Sequence, residues 1–290
     1  MMKYKKLLFP IGAGDDIEPR IYGALKVAQW FKAHMEILTC QLDPSVVYNM
    51  KMTLRGGVLF EEFLKSAKSE LAVEHEENEK LFNKICAELG IKVSDEVIED
   101  VCTANFTIHN GKRSAIVEQE SKFCDLVVAA VPLDGKITGT FESAVLKSGK
   151  NAIVIPRKMR EFKADNILVS WTGTTQSSRA LTGAIDLLKS AKKVQCITSK
   201  ASLGDNAELN LKKLEEYFKV HNISASFEVI ATTTIPGEAL LKAANDRNAD
   251  LIVASRYGEN GLMEMVLGGT SRFFLSLIHI SEPTRLGMIS

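Results

Sequence analysis

Cysteine is scarce, and its arrangement excludes more than its number does. Cys40, Cys86, Cys102, Cys124 and Cys196 are odd in count, far apart and never in a CxxC pair. Neither a disulfide framework nor a zinc site follows from such spacing; reduced, buried thiols in a cytoplasmic protein do. There is no surplus charge of either sign, because Lys plus Arg and Asp plus Glu both number 36. The chain therefore has no global positive field to hold nucleic acid or an anionic membrane surface. No apolar run approaches the roughly 20 residues that span a bilayer. At the start, lysines precede a short apolar stretch, but no small-residue cleavage site follows and Asp15, Asp16 and Glu18 come at once. A buried first strand fits this better than a signal peptide. The five histidines lack metal-ligand spacing, and neither GxSxG nor GxxxxGK[ST] occurs. What is present is ordinary globular composition, 46% hydrophobic and 25% charged over 290 residues, enough for one large domain or two small ones.

The chain repeats itself. An apolar run, a Gly-bearing turn and an amphipathic stretch occur at Leu7 to Ile11 with Gly12 and Gly14, and again at Ile167 to Trp171 with Gly173. A helix closing on Leu89-Gly90-Ile91 is answered by one closing on His221-Asn222-Ile223. Asp-Leu-Val-Val-Ala at 125–129 returns as Asp-Leu-Ile-Val-Ala at 250–254, each preceded by a helical stretch, Gly111 through Phe123 and Gly237 through Asn248.

Within each copy, short apolar runs alternate with helix-length amphipathic stretches. The strands are expected at 5–11, 35–40, 96–102, 125–131 and 152–156, then at 166–171, 193–198, 226–231 and 250–255. Strands apolar on both faces and separated by helices mean βα units, parallel pairing and right-handed crossovers. The fold class is α/β: two tandem, doubly wound, parallel five-stranded sheets, in domains 1–158 and 164–274. The charged stretch Pro156 to Lys163 reads as the linker.

The first copy is longer by a helical insert at about 56–90. Its start is marked by Gly56-Gly57, and Phe60, Phe63, Leu64, Ala67, Leu71, Leu81, Phe82, Ile85 and Leu89 keep helical spacing. A helix covering the sheet is its first reading; a partner or homodimer surface is the alternative. The end matches neither copy. Leu275 to Arg285 resembles, residue for residue, one reading frame of a transposon-end sequencing adapter. Residues 275–290 are expected to be a read-through tail, with the second sheet missing its natural last strand.

Chemistry concentrates after the fourth strand of the second copy, in Ser255 through Ser271. Glycines at a strand end and at a helix N-terminus, near Gly269, let backbone N–H groups approach an anion, and the carboxyl edge of a parallel sheet is where ligands collect. A Gly-rich connecting loop would read the same way.

Over residues 3 to 274 the sequence resembles the universal stress protein family, of UspA-like, nucleotide-binding α-hydrolase-like fold, in its tandem form. Members that bind ATP carry Gly-x2-Gly-x9-Gly-(Ser/Thr) after strand four; Ser255-x2-Gly258-x9-Gly268-Gly269-Thr270 reproduces the spacing, with Ser for the first glycine and Thr270 one place late. Tyr257-Gly258, Val266 to Gly269 and Arg272 look like the tandem branch in particular. The resemblance implies that Ser255, Gly258, Gly268, Gly269 and Thr270 hold ribose and phosphates of ATP, with Mg. The family's acid at the end of strand one is replaced by Thr172 in the second half and Gly12 in the first. Losing a charged acceptor costs roughly 1.5–3 kcal/mol. Trp171 beside it reads first as a buried aromatic, with lining of the adenine side as the alternative.

The first copy reads Ala129 to Ser143 after its fourth strand, without the glycine spacing. No ATP is expected there, and its role is to pair with the second copy as a pseudo-dimer. Ser148-Gly149-Lys150 reads as a turn before an edge strand, with a small anion nest as the alternative. Asp15-Asp16 could belong to a phospho-receiver with Asp100 as acceptor, but Val101-Cys102 continue the apolar run, and helix capping suits Asp16 better. No general base, nucleophile or metal cluster converges on the glycine loop, Glu259 and Glu264 being read as solvated. The resemblance therefore implies a stress-response protein with one adenine-nucleotide site and unknown protein partners. The alternatives are a ligand-free interaction scaffold and a slow ATPase.

Overall fold

A computed structural model describes residues 4–11, 16–41, 58–132, 137–231, 237–255 and 273–276, without the side chains of 58–64, 238 and 273–276. In the first half, β1 (Lys6–Pro10), β2 (His34–Gln41), β3 (Lys92–Val93), β4 (Thr103–Asn110), β5 (Leu126–Ala130) and β6 (Asn151–Ile155) form a parallel sheet in the order β3-β4-β2-β1-β5-β6. The second half lays β7 (Asn166–Trp171), β8 (Lys193–Ser199), β9 (Ala225–Ile230) and β10 (Leu251–Ala254) in the parallel order β10-β7-β8-β9. Counted within each copy the order is the same, and the direction of winding reverses between β1 and β5 and between β7 and β10. Those are the crevices where a doubly wound sheet takes its ligands.

A four-residue strand, β11 (Phe273–Ser276), stands at the place of the second copy's fifth. It pairs parallel to β10 and antiparallel to β6, joining the two sheets into one. The second sheet has fewer strands than the first, and Leu275 and Ser276, from the stretch read above as the tail, take part in this strand. The remaining tail residues lie outside the described set.

The helices are α1 (Ile17–Phe31), α2 (Val58–Leu89), α3 (Arg113–Glu120), α4 (Gly139–Glu142), α5 (Thr175–Ser190), α6 (Lys200–Leu203), α7 (Ala207–Val220) and α8 (Gly237–Asp246). Two buried apolar clusters line the two faces of the sheet, and each contains residues from both halves. Phe9, Leu25, Phe82, Leu187 and Phe218 are in one; Leu8, Val127, Ile197, Leu240 and Ile252 are in the other. The strands are short runs of Leu, Ile and Val because both faces are covered.

The structure explains why Asp-Leu recurs. Asp125 Oδ2 accepts from the backbone N–H groups of Lys5 and Lys6 at 2.8 and 3.0 Å. Asp250 Oδ2 does the same for Asp165 and Asn166 at 3.2 and 2.9 Å. Each carboxylate ties the entry of the copy's fourth strand to the entry of its first.

Three expectations are corrected. The third strand is not at 96–102 but at Thr103–Asn110; 96–102 forms bends and turns with Val97 and Val101 exposed and Asp100 at φ 56°. Asp16 stands at the N-cap of α1 but at φ 62°, and its side chain makes no capping hydrogen bond. The Ser148-Gly149-Lys150 turn, where Lys150 N–H donates to Ser148 Oγ at 3.2 Å, precedes a strand paired on both sides rather than an edge.

The segment between the halves is charged in sequence yet fastened in space. Met159 and Phe162 are buried, the ring of Phe162 meets Trp30 edge-on at 5.5 Å, and Arg160 forms a two-pronged ion pair with Glu18 at 2.8 and 2.9 Å. The insert helix α2 begins directly after Gly56-Gly57. It ends with Gly90 at φ 65° and Ile91 N–H donating to Cys86 O at 2.8 Å, a glycine-capped C-terminus.

Candidate functional site

The crevice of the second half is built by two strand ends. β7 carries the apolar run Ile167 to Val169 through the core and emerges at Ser170-Trp171. Gly173, at φ 70°, turns the chain so that Thr174 can cap α5, its Oγ1 accepting from Ser177 N–H at 3.2 Å. β10 emerges one strand away and delivers Ser255.

Thr172 Oγ1 lies 2.9 Å from Thr174 Oγ1 and 3.3 Å from Ser255 Oγ. Ser255 is buried and Thr172 partly so. Two of the six residues assigned from sequence, 83 positions apart, are thereby brought into contact. Gly258, Gly268, Gly269 and Thr270 lie outside the described residues.

The hydroxyl theme continues along the edge. Buried Ser177 donates from Oγ to Thr174 O at 2.9 Å. At the end of β8, buried Ser199 caps α6, accepting from Ser202 N–H at 3.0 Å, with the two Oγ atoms 2.7 Å apart. Every one of these groups is a neutral donor and acceptor. These hydroxyls can hydrogen-bond a sugar or an amide, and they carry no fixed charge of their own.

Superposing the strand registers gives the first half's counterparts. Leu7 pairs with Leu126 as Ile167 pairs with Leu251, so Ile11 matches Trp171 and Ala130 matches Ser255. Leu7 pairs with Met35 as Ile167 with Val194, so Cys40 matches Ser199. Where the second half has hydroxyls, the first has a methyl and a thiol. Burial pushes the Cys40 thiol up to about 11, far from a reactive thiolate. Burial likewise pushes Cys86, Cys124 and Cys196 up to about 12 and Cys102 to about 11.

Sequence reasoning missed the cleft that opens beside this edge. Trp171, Gly173, Ser202 and Leu203 bound it together with α5 and α7, and its volume is about 380 Å³. The aromatic reading of Trp171 is refined accordingly: the ring is half-buried and walls this cleft. A helical stripe on α7 ending in Tyr217 was the available signal, but such a stripe reads as sheet-facing in any sequence.

No protein-family model matches the chain, and no curated protein does. Solved structures do. A universal stress protein from Archaeoglobus fulgidus DSM 4304 superposes with a TM-score of 0.65 at 13% identity, covering 96% of this chain and 100% of that one. The chain has the universal stress protein fold. Both copies take part in the match, since it spans nearly the whole chain. A functionally unknown protein from Pseudomonas aeruginosa PAO1 is similar at a TM-score of 0.55 and 15% identity, over 95% of this chain and 93% of that one. Within the universal stress protein fold, the Thr172–Ser255 crevice occupies the switch point of the second copy. Among the described residues no helix is long and apolar enough to cross a membrane.

Proposed function

We propose that this is a stress-response protein whose second half binds one adenine nucleotide, ATP with Mg, at the Thr172–Ser255 crevice, and whose first half serves as a pseudo-dimer partner. The observation that carries the reading is the 3.3 Å approach of Thr172 to Ser255: the end of the copy's first strand and the start of its glycine loop face each other across the switch point. The neutral hydroxyls would bind ribose, and the backbone of Gly258, Gly268 and Gly269 would hold the phosphates. Calorimetric titration with Mg-ATP tests it. One site per chain, lost in Gly258→Arg, is expected; heat no greater than dilution would discard the nucleotide reading.

A second reading, an interaction scaffold, is favoured by α2. Between residues 65 and 74 of this helix no side chain is buried, and Val73 is 51% exposed. Partner capture or self-association that survives Gly258→Arg but not deletion of residues 56–74 would select it.

A further inference from the structure

We infer that the cleft between α5 and α7 is a second small-molecule site, separate from the nucleotide crevice, for an aromatic carboxylate. Its walls are Trp171, Leu181, Leu203, Leu214 and Tyr217, and its volume of about 380 Å³ is within the range of ligand cavities. Leu181, Leu203 and Leu214 are buried and supply apolar surface, while the two aromatic residues are half-buried.

One charge lines this cleft: Lys213, on α7. It stands one position before Leu214 and four before Tyr217, so its flexible stem reaches over the same opening that they wall. Leucines and aromatic rings make up the apolar part of the lining, Ser178, Ser202 and Asn210 its neutral polar part, and Lys213 its one charge; such a cavity selects an occupant with an apolar body and one negative charge. A second cation or a carboxylate in the lining would argue for a different ligand; among the described lining residues there is neither.

The cleft lies beside the nucleotide crevice, on the α5–α7 side of the turn after β7. A Cβ built on Gly173 would lie 2.1 Å from the carbonyl oxygen of Ser202. The turn after β7 and the helical turn after β8 are therefore in backbone contact, and neither Thr172 nor Ser255 is among the residues that line the cleft. The floor is also fixed: Asn210 Nδ2 donates to Leu203 O at 2.7 Å, and Thr182 and Tyr217 share a hydroxyl contact at 3.1 Å across the opening. These bonds keep α6, α5 and α7 in place around an open volume.

The test is calorimetric titration of the full chain with 2-naphthoate, alongside its neutral analogue 2-naphthalenemethanol. Binding of naphthoate at one site is expected, weakened about tenfold by Lys213→Gln, which leaves the neutral analogue unaffected. Ser178→Trp, placing an indole at the mouth from an exposed position, should abolish binding of both. Ser255→Arg, in the neighbouring crevice, should change neither, and saturating Mg-ATP should not displace naphthoate. No heat at millimolar naphthoate, binding indifferent to both Lys213→Gln and Ser178→Trp, or displacement by Mg-ATP would each overturn the inference. Failure of Mg-ATP to bind at all would leave it standing, since the two sites are read by different variants.

Discussion

At the scale of single residues, two glycines share a backbone conformation and differ in what surrounds them. Gly173 has φ 70° and Gly149 φ 67°. A Cβ at Gly149 meets nothing within 4 Å, whereas at Gly173 it would press into the Ser202 carbonyl at 2.1 Å. Gly149→Ala should cost about 1 kcal/mol, the left-handed penalty alone. Gly173→Ala should cost more than about 3 kcal/mol, because the backbone of α6 must move as well. Denaturant titrations of the two variants make the comparison, and equal losses would refute the contact. The repeated aspartates offer a second pair. The Asp250 hydrogen bonds are partly buried and those of Asp125 are exposed. Asp250→Ala should therefore lose about 2 kcal/mol and Asp125→Ala about 1 kcal/mol, with amide exchange accelerated first at residues 165 and 166 in the former.

At the scale of elements, His34 connects the starts of β2 and β4. Thr103 Oγ1 donates to Glu96 O at 3.1 Å and lies 2.8 Å from His34 Nδ1, so one hydroxyl ties the imidazole to the loop before β4. Burial above all, then the charge of Lys6, holds the His34 pKa below its ordinary 6.5. The unfolded chain thus takes up a proton at a pH where the folded chain does not. Stability contributed by neutral His34 is intact above the ordinary value and is lost as pH falls from there toward the lowered one. Denaturation midpoints should drop on acidification through that window, with a shallower drop in His34→Gln; parallel slopes would show that other groups govern. The same region shows what the sequence made legible. Strands buried on both faces, β1, β2, β5, β6, β7, β8 and β10, announce themselves as apolar runs. β4 does not, because its outer part is half-exposed and reads Thr-Ala-Asn-Phe-Thr-Ile-His-Asn, while the exposed Val97 and Val101 mimic a strand seven residues earlier. The charged connector was misleading in the opposite sense: its burial rests on Met159 and Phe162, two apolar residues among lysines and arginines. Of the site, Thr172 and Ser255 were legible through the repeat and the spacing of the glycine loop. The cleft was not, since an opening between helices has no periodicity.

At the scale of the whole molecule, the halves are one packed body rather than two beads. Tyr4, ahead of β1, donates its hydroxyl to Gly183 O on α5 at 2.9 Å and accepts from Asn151 Nδ2, at the start of β6, at 2.8 Å. Gly183 leaves room for the Asn151 amide: a Cβ there would sit 2.4 Å from Asn151 Nδ2 and displace that side chain. Burial holds the Tyr4 phenol above its ordinary pKa, and Asn151 opposes the shift, so the hydroxyl keeps its proton and its role as donor. The β6–β11 pairing bridges the sheets on the same seam, and both apolar clusters cross it. Shared cores of this kind make unfolding cooperative across a repeat boundary. The two tryptophans fall one in each half, Trp30 on α1 and Trp171 at the end of β7, so each half can be followed alone in Trp171→Phe and Trp30→Phe backgrounds. The two reporters should track the same denaturant transition once each background's own stability is matched by far-UV dichroism. Tyr4→Phe removes the side-chain hydrogen bonds to Gly183 O and from Asn151 Nδ2 and should lower stability by about 1–2 kcal/mol, and because it cuts the seam rather than either core, it should also separate the two tryptophan transitions. A Tyr4→Phe protein that loses stability while both reporters still unfold together would place the cooperativity in the apolar clusters alone; separate transitions already in the parent would show that the seam does not couple the copies.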